Sequence, residues 1–222
     1  MKKVWLSGWA SDLTRFLPQI EKSFPDDDHQ AISWVELFTG DLAELRAQLS
    51  SADQIIAWSQ GAQLLFHRQL LSQEVNSSLR APLLLVAPAL DFCRAGSGWP
   101  LSVLRAMARA LEKDRKSVLN SFAEKMGATA EEISLWCRSA NSIDRTLLAE
   151  GLMMLAEPVL LSPLQKIPHL ILQGSSDRIV KQENSASLSL EWKLQMQIVE
   201  GAGHWLLTPK MIGAIQRVST DG

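Results

Sequence analysis

Short apolar runs alternate with amphipathic stretches in the first 90 residues of the chain and again after residue 162. Five runs, the last of them weaker, predict buried parallel strands: Val4–Leu6, Gln54–Trp58, Leu83–Ala87, His169–Gln173 and Leu194–Val199. Each is bounded by Gly, Pro, Ser or Asp, which are common at strand ends. Apolar residues at three-to-four spacing predict the helices Leu13–Phe24, Leu42–Ser50 and Ala62–Leu71. This alternation predicts an α/β fold with a mostly parallel sheet flanked by helices.

The middle of the chain has a different pattern, because no run between residues 91 and 162 reads as a strand. Four helices are predicted there: Trp99–Lys113, Ser117–Met126, Ala130–Cys137 and Asp144–Ala156. We therefore expect a core domain of residues 1–90 and 163–222, with a helical cap of residues 91–162 inserted between two strands. One further segment, Phe24–Gln30, is polar and predicts a solvated turn in the core domain.

The composition of the chain limits the classes of protein to which it can belong. The chain has 222 residues, 46% of them hydrophobic, which is enough to bury a sizeable core. The net charge of −2 gives no general reason to expect nucleic acid or a membrane surface as a partner. The two cysteines, Cys93 and Cys137, make no disulfide framework, and no apolar run reaches the length of about 18 residues needed for a membrane span. We expect a cytoplasmic monomer that binds neither nucleic acid nor membrane.

One serine lies where a predicted strand meets a predicted helix. The stretch Ala57-Trp58-Ser59-Gln60-Gly61 is similar to the G-x-S-x-G nucleophile elbow, with alanine in place of the first glycine. Small residues at both ends of this pattern let the helix pack closely against the strand around a strained serine. The alternative is that Ser59 simply caps the helix that follows it.

A nucleophilic serine needs a base and an acid, and the chain offers both after predicted strands. Asp177 follows the strand that ends at residue 173, and His204 lies in the glycine-rich loop after the last strand. The carboxyl ends of parallel strands meet at one edge of a sheet, so Ser59, His204 and Asp177 could converge there. Imidazole can take the serine proton, and a carboxylate can orient the imidazole. Asp177 could instead cap a turn, His204 could be an ordinary loop histidine, and Asp91 is a rival acid.

Acyl transfer also requires donors for the oxyanion. The backbone N–H of Gln60, directly after the serine, is one candidate, and the N–H of Trp9 in the loop after the first strand is the other. Trp9 could also serve only to pack the core or a lid. This chemistry requires no metal and no cofactor, and we expect none.

These motifs resemble those of the α/β-hydrolase superfamily over nearly the whole chain. Within it, the sequence resembles the pimeloyl-[acyl-carrier-protein] methyl ester esterases of biotin synthesis, which read H-G-W-G after the early strand and G-W-S-L-G at the elbow. The counterparts here are Ser7-Gly8-Trp9-Ala10 and Ala57-Trp58-Ser59-Gln60-Gly61, with Ser7, Ala10 and Ala57 as departures. The resemblance implies an α/β-hydrolase fold with an inserted helical cap, and a serine carboxylesterase acting on that methyl ester.

The resemblance also implies a partner, an acidic carrier protein that docks on basic residues of the cap. Four candidates, spaced by four, four and three residues, would share one face of a continuous helix: Arg105, Arg109, Lys113 and Lys116. Such a basic stripe would attract an acidic helix and raise its association rate. The alternative is a solvated helix face, with Glu112 and Asp114 offsetting the charge.

Six apolar residues are candidates for an acyl channel, or are ordinary core: Trp9, Trp58, Leu104, Met107, Leu148 and Leu152. Two other functions remain open on the sequence. One is a general short-chain carboxylesterase or thioesterase. The other is a catalytically inactive hydrolase fold used as a binding module.

Overall fold

A computed structural model describes residues 1–71, 81–159 and 169–220. In these ranges six strands form one sheet in the order β2-β1-β3-β4-β5-β6, and every neighbouring pair is parallel. The strands are β1 Lys2–Leu6, β2 Asp28–Ile32, β3 Gln54–Trp58, β4 Leu83–Val86, β5 His169–Gly174 and β6 Gln195–Val199. The predicted α/β class with a parallel sheet flanked by helices is confirmed.

Helices connect the strands and form the segment between β4 and β5. They are α1 Leu17–Ser23, α2 Trp34–Thr39, α3 Leu42–Ser50, α4 Gln60–His67, α5 Leu101–Met126, α6 Ala130–Ala140, α7 Arg145–Met154, α8 Gln182–Trp192 and α9 Pro209–Thr220, with a 3-10 turn at Leu13–Phe16 before α1. Side-chain caps begin several of them. Asp41 caps α3, Asp144 caps α7, and Thr129 and Glu132 form a reciprocal capping box at α6. These caps satisfy N–H groups that have no partner within a helix.

The prediction of a solvated turn over Phe24–Gln30 is wrong beyond residue 27. Residues Asp28–Ile32 form β2, which pairs with β1 in a register that places Ala31 beside Trp5. β2 is the first strand of the sheet order, and its first three residues are exposed or half-buried. An edge strand needs only backbone pairing on one side, so its sequence can be polar.

Three helices, α5 to α7, follow one another between β4 and β5, and α5 packs against both of the others. Helix α5 is interrupted at Asp114, whose φ of −147° and ψ of 80° are not helical. This break lies where the sequence predicts the end of one helix and the start of the next. The predicted boundary between residues 162 and 163 lies outside the described residues, so the division into core and cap stays a prediction.

Within the described ranges, none of the helices combines the length and the apolar character that crossing a membrane requires.

Candidate active site

Ser59 occupies the sharp turn between β3 and α4. Its φ of 55° and ψ of −122° lie in a region that residues with a side chain rarely adopt. Ala57, at the position of the first glycine of the elbow pattern, is fully buried. Ser59 occupies the N-cap position of α4, but no backbone N–H of the described α4 bonds to its side chain, so the hydroxyl does not cap the helix. The turn instead leaves the hydroxyl free to meet other side chains.

Ser59, His204 and Asp177 form one hydrogen-bonded series. Ser59 Oγ lies 3.0 Å from His204 Nε2, and His204 Nδ1 lies 2.8 Å from Asp177 Oδ2. The side chains of His204 and Asp177 are 1% and 0% exposed. A carboxylate can only accept, so Nδ1 carries the proton, and Nε2 of the neutral ring accepts from the serine hydroxyl. The structure thus joins a hydroxyl, an imidazole and a carboxylate in the order that nucleophilic catalysis by serine requires.

The Asp177 carboxylate is held by further donors from its own neighbourhood. Asp177 Oδ1 accepts from the backbone N–H of Ile179 at 2.7 Å and of Val180 at 3.0 Å. Asp177 Oδ2 accepts from Gln173 Nε2 at 3.2 Å, and the same amide donates to the Val180 carbonyl at 3.1 Å. Ser185 Oγ donates to Gln173 Oε1 at 2.7 Å, and both of these residues are fully buried. Sequence reasoning missed Gln173 and Ser185, which extend the series behind the acid.

Asp91, the rival acid, lies elsewhere. Its carboxylate is 3.7 Å from Arg94, and its backbone carbonyl accepts from Asn184 Nδ2 at 2.6 Å. Burial raises the pKa of Asp91, while the charge of Arg94 acts in the opposite direction. The Nδ1 atom of His204 meets Asp177 and not Asp91.

The loop after β1 passes directly beside Ser59. Gly8 is so close that a Cβ on residue 8 would lie 2.9 Å from Ser59 Cβ, so this approach requires glycine. Trp9 follows it and is 2% exposed. Among the described residues, neither the backbone N–H of Trp9 nor that of Gln60 is paired with a backbone or side-chain acceptor. Trp9 follows Gly8 and Gln60 follows Ser59, so these two unpaired N–H groups remain the candidate donors to an oxyanion.

Several solved structures have a similar fold and a distant sequence. An esterase (EaEST) from Exiguobacterium antarcticum has a TM-score of 0.81 at 16% identity, over 100% of this chain and 91% of that one. A bromoperoxidase from Bacillus anthracis has a TM-score of 0.80 at 14% identity, over 100% and 92%. A thermophilic esterase from Thermogutta terrifontis has 0.69 at 19% identity, over 100% and 90%. No protein-family model matches the sequence, and no curated protein matches it significantly.

The chain has the α/β-hydrolase fold. That part of the expectation is confirmed by the parallel sheet together with these neighbours. Identities below 20% relate the folds and not the activities, so the function has to be argued from the site itself.

Within this α/β-hydrolase fold, Trp58 lies against the histidine. The two rings are 5.5 Å apart, and Trp58 Nε1 donates to the His204 carbonyl at 2.9 Å. The edge of Trp58 also meets Trp205, with ring centroids 5.2 Å apart. The acyl-channel role of Trp58 stays a prediction, and the described contacts show it fixing the loop that carries His204.

Four of the other channel candidates, on α5 and α7, pack in or against the hydrophobic core. Leu104, Leu148 and Leu152 are at most 2% exposed and are part of the hydrophobic core, while Met107 is half-buried against it. The described contacts therefore show these four residues as packing groups.

The four basic candidates on the cap are all exposed. Arg105, Arg109 and Lys113 lie on the first segment of α5, whereas Lys116 follows the break at Asp114. The assumption of a continuous helix through all four is therefore wrong. The spacing argument holds for the first three residues, which share one face of one helical segment.

Proposed function

We propose that this protein is a serine-dependent carboxylic ester hydrolase. The observation that carries the proposal is the hydrogen-bonded series from Ser59 through His204 to Asp177, with the unpaired N–H groups of Trp9 and Gln60 beside the serine. Several proteins of similar fold are named as esterases, and the activity proposed here from the site is of the same class.

The residues have distinct roles in this reaction. Ser59 Oγ attacks the ester carbonyl while His204 Nε2 takes the hydroxyl proton, and Asp177 stabilises the resulting imidazolium. The N–H groups of Gln60 and Trp9 donate to the oxyanion of the tetrahedral intermediate. His204 then gives the proton to the leaving alcohol. Water, deprotonated by His204, attacks the acyl-enzyme and releases the acid with Ser59 restored.

The substrate that we propose is the methyl ester of a pimeloyl group carried on acyl-carrier protein, with methanol as the leaving alcohol. The support is the resemblance of the motifs around Trp9 and Trp58, together with exposed basic residues on the cap. An acidic carrier would dock on Arg105, Arg109 and Lys113, and Lys116 would add charge beyond the break in α5.

The test compares two substrates, pimeloyl-[acyl-carrier-protein] methyl ester and a short p-nitrophenyl ester, with wild type and Ser59→Ala. We expect wild type to cleave both, and Ser59→Ala to lose about 10⁴- to 10⁶-fold in kcat. Cleavage of the short ester alone would support the proposed serine esterase activity and refute the proposal of a carrier-linked substrate. Hydrolysis of neither ester, with no labelling of Ser59 by a fluorophosphonate, would refute the enzyme and favour a binding module.

The docking residues are tested in the same assay. The double variant Arg105→Glu with Arg109→Glu should raise KM for the carrier-linked ester about tenfold relative to KM for the short ester, because rim charges act mainly on association. Lys22→Glu, which reverses the charge of an exposed residue on α1, is the control. Equal losses on both substrates would mean that the substitutions damage the cap and that this face is not a docking surface.

A further inference from the structure

The side chains of Trp9 and Gln60 both reach the same turn of the cap helix α7. Trp9 Nε1 donates to the Leu148 carbonyl at 3.0 Å, and Gln60 Nε2 donates to the Gly151 carbonyl at 2.6 Å. These two carbonyls are three residues apart and therefore lie on one face of the helix. The two residues whose backbone N–H groups lie beside Ser59 are thus tied to one helix through their side chains.

The amide of Gln60 has only one orientation that satisfies its partners. Trp34 Nε1 lies 2.9 Å from Gln60 Oε1, and an indole N–H can only donate, so the amide oxygen must face Trp34. The Gln60 nitrogen then donates to Gly151 and, at 3.1 Å, to Gln63 Oε1. Gln60, Gln63 and Trp34 are all fully buried, so water cannot replace a lost partner.

Glycine at position 151 allows α7 to lie this close. A Cβ on residue 151 would overlap Trp34 Cζ2 and would lie 3.1 Å from Trp9 Cδ1. The helix backbone therefore rests directly on the two indole rings. A side chain at this position would have to move α7 away from Trp9 and Gln60, or move the rings themselves.

The other two cap helices hold the same loop. The Phe122 ring of α5 meets Trp9 edge-on, with centroids 5.0 Å apart. Trp136 Nε1 of α6 donates to Ser11 Oγ at 2.7 Å, and Ser11 Oγ donates to the Trp9 carbonyl at 3.1 Å. Trp9 is therefore fixed by side chains or carbonyls from α5, α6 and α7.

We infer that the Leu148–Gly151 turn of α7 positions the oxyanion hole, with Gly151 and Trp34 as positioning residues that touch no reacting atom. The inference rests on the proposed function for the role of the two N–H groups. A shift of α7 would pull on the Trp9 and Gln60 side chains and displace the N–H groups of the same residues. The hydrogen bonds from Ser59 to His204 and from His204 to Asp177 include no atom of α7, so they would remain.

The kinetic test uses Gly151→Ala and Trp9→Phe, with Glu150→Ala, an exposed residue of the same helix, as the matched control. Removing an oxyanion donor outright costs about 10²- to 10³-fold in kcat, so a displaced donor should cost about 10- to 100-fold. KM for the short ester should stay within about twofold, since the interaction forms in the transition state. Affinity for a trifluoromethyl ketone, which forms an oxyanion on Ser59, should fall by the same factor as kcat.

A second measurement separates this inference from the proposed function. The backbone amide resonances of Trp9 and Gln60 should move in Gly151→Ala and stay in place in Glu150→Ala, whether or not the protein hydrolyses an ester. If Gly151→Ala does not fold, Trp9→Phe is measured in its place for the Gln60 resonance and for kcat. Unmoved resonances, or a kcat within twofold of wild type in a folded variant, would overturn the inference. An inactive wild type with moved resonances would refute the proposed function alone.

Discussion

The acid of the candidate site and its oxyanion donors are held by different parts of the chain. Three of the donors to the Asp177 carboxylate come from residues two to four positions away in sequence. Trp9 and Gln60, in contrast, are held by carbonyls 139 and 91 residues away. Contacts within one loop form whenever that loop folds, whereas contacts with a distant helix require the whole cap to be in place. Damage to the helices between β4 and β5 should therefore displace Trp9 and Gln60 and spare the Asp177 carboxylate.

The largest effect should follow from a change on the acid side. In Asp177→Asn the amide can donate to His204 Nδ1, which would put the ring proton on Nε2 and prevent it from accepting the serine proton. We expect kcat for the short ester to fall about 10⁴-fold, the loss that follows when the aspartate of a Ser-His-Asp triad is changed to asparagine in a serine protease. Asp91→Asn is the control, with kcat within about twofold of wild type. A loss below tenfold in Asp177→Asn would show that the carboxylate is dispensable.

A smaller loss should come from the residue behind the acid. Gln173→Met keeps the length of the side chain and removes the N–H donor to Asp177 Oδ2, so the carboxylate is less well fixed against His204. We expect kcat to fall about tenfold, equivalent to about 1.4 kcal/mol, with KM unchanged. Gln195→Met, at an exposed position of β6, is the matched control. A lower melting temperature with unchanged kcat would show that Gln173 stabilises the fold but does not position the Asp177 carboxylate for the reaction.

The smallest effect concerns the contact between α6 and α1. Glu132 of α6 accepts from Gln19 Nε2 of α1 at 2.8 Å and from the N–H of Thr129 at 2.8 Å. Burial acts to raise the pKa of Glu132, but these hydrogen bonds outweigh it and hold the pKa below its ordinary value of 4.5. A carboxyl group whose pKa is lower in the folded than in the unfolded protein stabilises the fold at pH values above the unfolded-state pKa. That stabilisation is lost as pH falls through the folded-state pKa.

Glu132→Ala should therefore lower the melting temperature at pH 7 by about 2–4 °C, the shift that corresponds to about 1 kcal/mol in a chain of this size. The difference between wild type and variant should shrink as pH is lowered below 4.5. Thermal melts of both proteins from pH 7 to pH 3 measure it, with exposed Glu131→Ala as the control. Melting curves that stay equally far apart down to pH 3 would show that the Glu132 charge does not hold the cap.

The sequence predicted the central strands because they are buried on both faces. Every residue of β3 is buried, for example, and after Gln54 the strand is an uninterrupted apolar run. β2 has no such run, since it lies at the edge of the sheet. Helix α2 was not predicted either, although Ser33, which caps it, and Glu36 three residues later form the pattern that marks a helix start.

The residues of the candidate site also divide into those that the sequence predicts and those that it does not. Ser59, Asp177 and His204 could be located because each lies at a fixed place relative to a strand end, and the structure brings them together. The side-chain roles of Gln60 and Gln173 could not be foreseen. A glutamine is usually a surface residue, and the partners of these two include backbone carbonyls whose positions the sequence does not reveal.

The backbone angles of Ser59 also lower the stability of the folded chain. A residue with a side chain in that conformation carries a strain of about 1–3 kcal/mol, which glycine would largely relieve. The free energy of unfolding of a whole domain is only about 5–15 kcal/mol, so the strain at this one position is a substantial fraction of it. Selection for stability alone would favour glycine at residue 59. The strain at this serine has to be offset by the rest of the fold, and the proposed chemistry at its hydroxyl gives a reason to keep it.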